Sequence, residues 1–258
     1  MNIKSVGFVG GGRAAKIILA GWKQTGTLPE KIVVSDPDPA ALDALARLVP
    51  NIETTGDNTV AAEQEVCFLA VHPPLAKEVV PALTSCLKGQ QMLVSLLPKL
   101  SIEKLSGMLG GFDRIARLIP NAASFIGKGY NPVAFAEHLS AEDWQKLGEL
   151  LDPLGETPVV KEPTLEAYAI VTAMGPTYLW PQLYQLKGLA ESFGLSSDAA
   201  MEGIGQMVRG SVELMARAEL SPEAVQDLVP VKPLAEEVDA LCQTMENKLS
   251  RLMEKLRP

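Results

Sequence analysis

The apolar run Val6-Gly7-Phe8-Val9 leads straight into Gly10-Gly11-Gly12-Arg13-Ala14-Ala15, and a helical pattern near 13–24 follows at once. A buried strand that breaks at three glycines and turns directly into a helix narrows the available folds sharply. The glycines fit G-x-G-x-x-A. Gly10 permits the tight turn, Gly12 lets the backbone approach a pyrophosphate, and Ala15 lets the helix pack close to the sheet. The helix N-terminus adds free N–H groups and the positive end of a dipole. Alone, such a turn also occurs for packing reasons. Its position after the first strand of an alternating chain points to dinucleotide binding, with Gly10, Gly11, Gly12, Arg13 and Ala14 at the cofactor.

The alternation continues to about residue 160. Further strands are expected at Ile32–Val34, Val66–Val71, Met92–Ser95 and Arg114–Ile119, with helices near 39–48, 58–64, 74–87 and 101–109. Apolar runs separated by helices indicate parallel βαβ units and hence a doubly wound α/β sheet. Asp38 before Pro39 reads as a helix start, as does Ser101 before Glu103 and Lys104. After a last strand candidate, Thr157–Val160, helical patterns take over near 164–193, 197–218, 222–228 and 233–256. The expected organisation is a nucleotide-binding domain over 1–162 and an all-helical domain over 163–258. The first long helix carries apolar residues on several faces (Ile170, Val171, Met174, Tyr178, Leu179, Leu183, Leu186). Such a helix is buried by several partners, and about 95 residues supply few of them. A homodimer or higher homo-oligomer that shares this face is therefore expected.

Charge and cysteine usage limit the function classes. Twenty-three basic against 31 acidic residues leave a net charge of −8, which argues against a general nucleic-acid binder. Cys67, Cys86 and Cys242 are odd in number, widely spaced and form no CxxC pair, so a disulfide framework is not expected. Two distant histidines offer no metal-ligand cluster. No stretch approaches the roughly 18 apolar residues of a membrane span, and the N-terminus lacks the pattern of a secretion signal. A cytoplasmic protein acting on a small molecule, with no metal and no membrane partner, is the resulting expectation.

Three further positions carry chemistry. Asp36 follows Ile32-Val33-Val34-Ser35, where an acid would accept the hydroxyls of an adenosine ribose and repel a 2′-phosphate; it could equally start the turn into the next helix. NAD is thus favoured, with NADP as the alternative. Ala70-Val71-His72-Pro73 ends the 66–71 strand abruptly, because proline disfavours helix in the residue before it. The carboxyl ends of strands border the ligand crevice of such sheets, so these four residues are expected at the cofactor. His72 is either a proton donor or a lining residue, and His138 reads as a surface residue before a helix cap at Ser140. Asn121, after Pro120, can donate an amide hydrogen bond or simply shape a turn.

The glycine loop, Phe68-Leu69-Ala70-Val71-His72-Pro73-Pro74, Arg117-Leu118-Ile119-Pro120-Asn121-Ala122-Ala123 with Gly127-Lys128-Gly129, and Gly175-Pro176-Thr177-Tyr178 together resemble pyrroline-5-carboxylate reductases, in that family's order and spacing. The resemblance implies a Rossmann domain and a helical dimerisation domain that interlocks with a second subunit. It also implies hydride transfer from NAD(P)H to a cyclic imine or related C=N or C=O substrate in proline biosynthesis. On this reading Asn121, Thr172 and Tyr178 face the reacting atoms. The chain departs from the family in three places. His72 replaces the lysine of the AVKP-type loop, and Thr172-Ala173-Met174 replaces S-G-S before Gly-Pro. The S-P-G-G-T-T segment gives way to Leu228-Val229-Pro230-Val231-Lys232-Pro233-Leu234. A cofactor-binding regulatory or scaffold protein with lost or altered catalysis is the alternative that these departures raise.

Overall fold

A computed structural model describes residues 3–257, so positions 1, 2 and 258 of the two expected domains lie outside the described residues. The strands are β1 (Ser5–Val9), β2 (Lys31–Ser35), β3 (Glu53–Thr55), β4 (Val66–Leu69), β5 (Met92–Ser95), β6 (Ile115–Leu118), β7 (Gly129–Tyr130), β8 (Val133–Phe135) and β9 (Gly155–Glu156). Between and after them run α1 (Arg13–Thr25), α2 (Pro39–Leu48), α3 (Asn58–Ala62), α4 (Ala76–Ala82), α5 (Ile102–Met108), α6 (Ala141–Leu151) and α7 (Leu165–Tyr168). The main sheet has the order β3-β2-β1-β4-β5-β6-β8. Its first six strands are parallel, and β8 closes the edge antiparallel to β6. This is the doubly wound Rossmann order, whose direction of winding reverses between β1 and β4.

Burial on both faces explains why the strands read as apolar runs rather than alternations. On one side of the sheet Phe8, Trp22 and Phe68 pack together, with the two phenyl rings stacked 4.9 Å apart. Val9, Val33, Cys67 and Leu69 enter the core on the other side. Trp22 Nε1 donates to the Leu150 carbonyl at 2.9 Å, which ties α1 to the end of α6. The helix starts behave as their sequences predict. Asp38 caps α2 with Pro39 in the first turn, Ser101 caps α5, and Ser140 with Asp143 forms a reciprocal capping box on α6. His138 is exposed just before that cap.

Several expected elements are corrected. The strand placed at Thr157–Val160 is instead Gly155–Glu156, and Val159 makes only an isolated bridge to Val133. Gly155, at φ +124°, lets β9 run directly against β7, a pairing no apolar periodicity announces. The helix expected over 74–87 is a 3-10 turn, Pro73–Leu75, followed by α4, because consecutive prolines supply no backbone donors. The long helix expected over 164–193 is broken. A 3-10 turn, Glu162–Thr164, leads into α7, then a π-helical turn over Ala169–Ala173, then α8 (Pro176–Ser192). Gly175-Pro176 is where the ladder is interrupted, as expected of a residue without an N–H. The final helix begins at Val238 rather than 233, after Pro230 and Pro233.

Compact contacts divide the chain into two units. One comprises the chain up to Ala173 together with the segment from Leu252 onward; the other is Met174–Arg251. The second unit holds α8, α9 (Ser197–Arg217), α10 (Pro222–Asp227) and the greater part of α11 (Val238–Leu256). No residue of α8 is buried, and α9 buries only Ala200 and Ile204. Leu179, Trp180, Tyr184 and Leu189 on α8 are exposed, as are Met201, Met207, Val212 and Met215 on α9.

Candidate functional site

The carboxyl ends of β1, β2, β3 and β4 open onto one cleft of about 670 Å³. Gly10 leaves β1 at φ +108°, in the left-handed region. A Cβ there would lie 2.6 Å from the Ala70 carbonyl oxygen, so only glycine lets the β1 and β4 exits approach each other. Over Gly12 the reverse holds: a Cβ would meet nothing within 4 Å. Gly12 is the N-cap of α1 and no side chain caps that helix. The first-turn N–H groups of α1 therefore face open space at the cleft wall, which is the arrangement an anionic pyrophosphate requires.

Asp36 does two jobs at once. One carboxylate oxygen accepts the Gly11 N–H at 2.7 Å, pinning the glycine loop to the end of β2. The other accepts the Asp38 N–H at 2.8 Å, starting the turn into α2. The turn-starting role of its sequence position is thus seen directly, and Asp36 also lines the cleft. A carboxylate oxygen that accepts one hydrogen bond can still accept another.

Of the residues expected at the cofactor, Gly10, Gly12, Arg13, Asp36, Ala70, Val71, His72 and Pro73 line the cleft. Gly11 is buried behind it and Ala14 does not reach it. The sequence reading missed Ser35, Gly56, Asn58 and Glu78, which also line it. Ser35 donates to the Asn58 side-chain oxygen at 2.9 Å, linking β2 to the start of α3. The missed signal was β3: Glu-Thr-Thr is short and polar, yet it is parallel to β2 and delivers Gly56 to the same rim. Arg13 thus shares the cleft lining with two carboxylates, Asp36 and Glu78. His72 is exposed, at the start of the 3-10 turn.

The residues expected at the reacting atoms divide between the units. Asn121, buried just beyond β6, donates its amide to the Thr172 carbonyl at 2.8 Å. Its side-chain oxygen accepts the Ala123 N–H, and its own N–H donates to Asn131. Asn131 also accepts the Ser124 hydroxyl. The Thr172 hydroxyl donates back to the Tyr168 carbonyl at 2.8 Å. Asn121 thereby fixes the π-helical turn against the end of the sheet. Tyr178 lies on α8 in the second unit, and burial pushes its phenol above the ordinary tyrosine range. It therefore stays protonated at neutral pH.

Behind this loop Arg117 is buried on β6. It bonds to Glu166 at 2.6 Å, to Glu162 at 3.0 Å, and to the Leu97 carbonyl. No group of three or more possible metal ligands occurs among the described residues.

A family model described as NADP oxidoreductase, coenzyme F420-dependent, matches residues 5–99. That span covers β1 to β5 and the entire cleft. The chain is 26% identical over 227 residues to pyrroline-5-carboxylate reductase of Escherichia coli K12, covering 88% of this chain and 84% of that protein. It is 27% identical over 219 residues to the Haemophilus influenzae enzyme, covering 83% and 79%. The chain is thus similar to pyrroline-5-carboxylate reductases over most of its length. The fold agrees across both units. A crystal structure of Plasmodium falciparum pyrroline carboxylate reductase with NADP bound superposes with a TM-score of 0.81, covering 99% of this chain and 97% of that one, at 20% identity. Two residues that the sequence sets apart, His72 and Lys232, are both exposed.

Proposed function

We propose that this chain is an NAD(P)-dependent oxidoreductase that reduces the C=N bond of a cyclic imine or a related C=O substrate. The observation that carries the reading is the cleft: an open, uncapped helix start over Gly12, with Asp36 beside it. When bound, a reduced nicotinamide cofactor supplies the hydride. The glycine loop and the α1 N-terminus hold the pyrophosphate, Asp36 holds the ribose, and Ala70 to Pro73 wall the cleft. Asn121 positions the Thr172 segment through the amide–carbonyl bond, and that segment would border the substrate. A protonated imine is already an electrophile, so orientation and exclusion of water are the main demands on the protein. Retained cofactor architecture and relatives named as reductases weigh against a regulatory protein without turnover.

Titration with NADH and NADPH, followed by turnover over a panel of cyclic imines and keto acids, tests the reading. Failure to bind either cofactor at millimolar concentration would sink it. NADH should bind more tightly than NADPH, because two carboxylates and a single arginine line the cleft. Asp36→Ser should narrow that preference by about tenfold, a loss of about 1.4 kcal/mol in discrimination. Tighter NADPH binding by the unaltered protein would contradict the role given to Asp36.

The second unit acts, on this proposal, as a homodimerisation domain. A 17-residue helix with no buried residue, bearing exposed Leu179, Trp180, Tyr184 and Leu189, is what an obligate interface looks like when one subunit is viewed alone. Light scattering should give at least twice the 27.6 kDa chain mass, and Leu183→Asp should dissociate the assembly. A single-chain mass at micromolar concentration would refute it. The three cysteines are unpaired, which supports a reducing, cytoplasmic setting.

A further inference from the structure

A second cavity, of about 480 Å³, lies in the first unit, away from the nucleotide cleft. Ser101, Arg117, Glu162, Pro163 and Glu166 line it, together with Met253 near the end of α11 and Arg257 just beyond it. Its size lies within the range of small-molecule sites.

The charges in this cavity do not cancel locally. Arg117 is held between Glu162 and Glu166, leaving one negative charge in excess. The balance is incomplete in hydrogen bonds as well. Arg117 Nε and Glu166 Oε2 are buried without partners, although nearly all such buried groups are satisfied. Glu162 uses Oε1 for both Arg117 and the Ile102 N–H, while its side chain keeps 27% exposure. Its other oxygen is accessible. Arg257, which lines the same cavity, is exposed and makes no ion pair among the described residues. Pro163 and Met253 supply apolar lining to the same cavity.

A lone cation would be drawn to Glu162 but repelled by Arg257, and a lone anion would meet the reverse. A dipolar molecule satisfies both ends. We propose that this cavity binds an aliphatic α-amino acid. The ammonium donates to Glu162, the carboxylate accepts from Arg257, and the side chain lies on Pro163 and Met253. Bound there, it would bridge α11 to the segment that carries Arg117, Glu162 and Glu166. The loop to Asn121 follows directly on Arg117, and the turn containing Thr172 follows α7.

Isothermal titration of the full-length protein with L-norvaline, butylamine and butyrate tests this, alongside a separate NADH titration. Norvaline should bind, with butylamine and butyrate each weaker by about tenfold, the loss expected on removing one charge-assisted contact. Arg257→Gln, an exposed change, should weaken norvaline by a similar factor. Met253→Trp should block it by filling the cavity. Both variants should keep the NADH affinity of the unaltered protein. No heat from norvaline at about 20 mM, equal binding of all three probes, or norvaline binding unchanged in both variants would overturn the proposal. Loss of NADH binding in the unaltered protein would instead count against the oxidoreductase reading and leave this test intact.

Discussion

Gly12→Val should leave the protein folded and abolish cofactor binding. A Cβ at this position meets no atom within 4 Å, and the backbone sits at φ −77°, which any residue adopts. Nothing in the chain therefore resists the new side chain. The isopropyl group would stand in the space where the α1 N–H groups meet a pyrophosphate, so NADH affinity should fall by about 100-fold or more, about 2.7 kcal/mol. Gly10→Ala provides the contrast. Its Cβ would be driven 2.6 Å from the Ala70 carbonyl at φ +108°, so the damage falls on the fold. Thermal melts and fluorescence titrations on both variants separate the effects. A Gly12→Val protein that melts normally and binds NADH normally would remove the cleft from the cofactor.

The second large effect concerns Arg117. Glu166→Ala should cost about 3–5 kcal/mol of stability, because removing one partner of a buried pair strands the other charge. Arg117 is about 1% exposed and Glu166 about 2%, so water cannot replace the lost carboxylate. Glu162 still reaches Arg117 at 3.0 Å but is partly exposed, which places the loss near the lower end. Replacing both residues with apolar ones of similar volume, Arg117→Met with Glu166→Leu, should recover most of it. Urea unfolding of the single and double variants reads both values. Equal stability of Glu166→Ala and the unaltered protein would show that the pair does not hold β6 to α7.

The contrast between Gly12 and Arg117 shows where sequence reading succeeds. The glycine loop was legible because its spacing encodes a backbone path, and strands β1, β2, β4, β5 and β6 because burial on both faces makes them apolar throughout. β3, β7, β8 and β9 were not, since two or three residues carry no period and their pairing depends on strands distant in sequence. The ion-pair partners of Arg117 lie 45 and 49 residues away, and no local pattern joins them. Asp36 reads as either a ribose acceptor or a turn starter; one oxygen does start the turn, and the other holds Gly11, a partner 25 residues back that no local pattern announces. Asn121 was legible as an amide at a strand end. Its reach to Thr172, 51 residues on, is tertiary. The breaking of the 164–193 helix into a 3-10 turn, α7, a π turn and α8 was signalled only in part by Gly175-Pro176.

The return of α11 to the first unit has a consequence for biosynthesis. Leu256 is buried in a unit whose residues, apart from the segment from Leu252 onward, all precede Met174. As the chain leaves the ribosome, the sheet can assemble early, but the socket for Leu256 stays open until all of Met174–Arg251 has been made. A nascent sheet thus waits with one apolar patch uncovered for the whole synthesis of the helical unit. That interval is when a holding chaperone has most to protect, and arrest anywhere before Leu252 would leave the patch permanently bare.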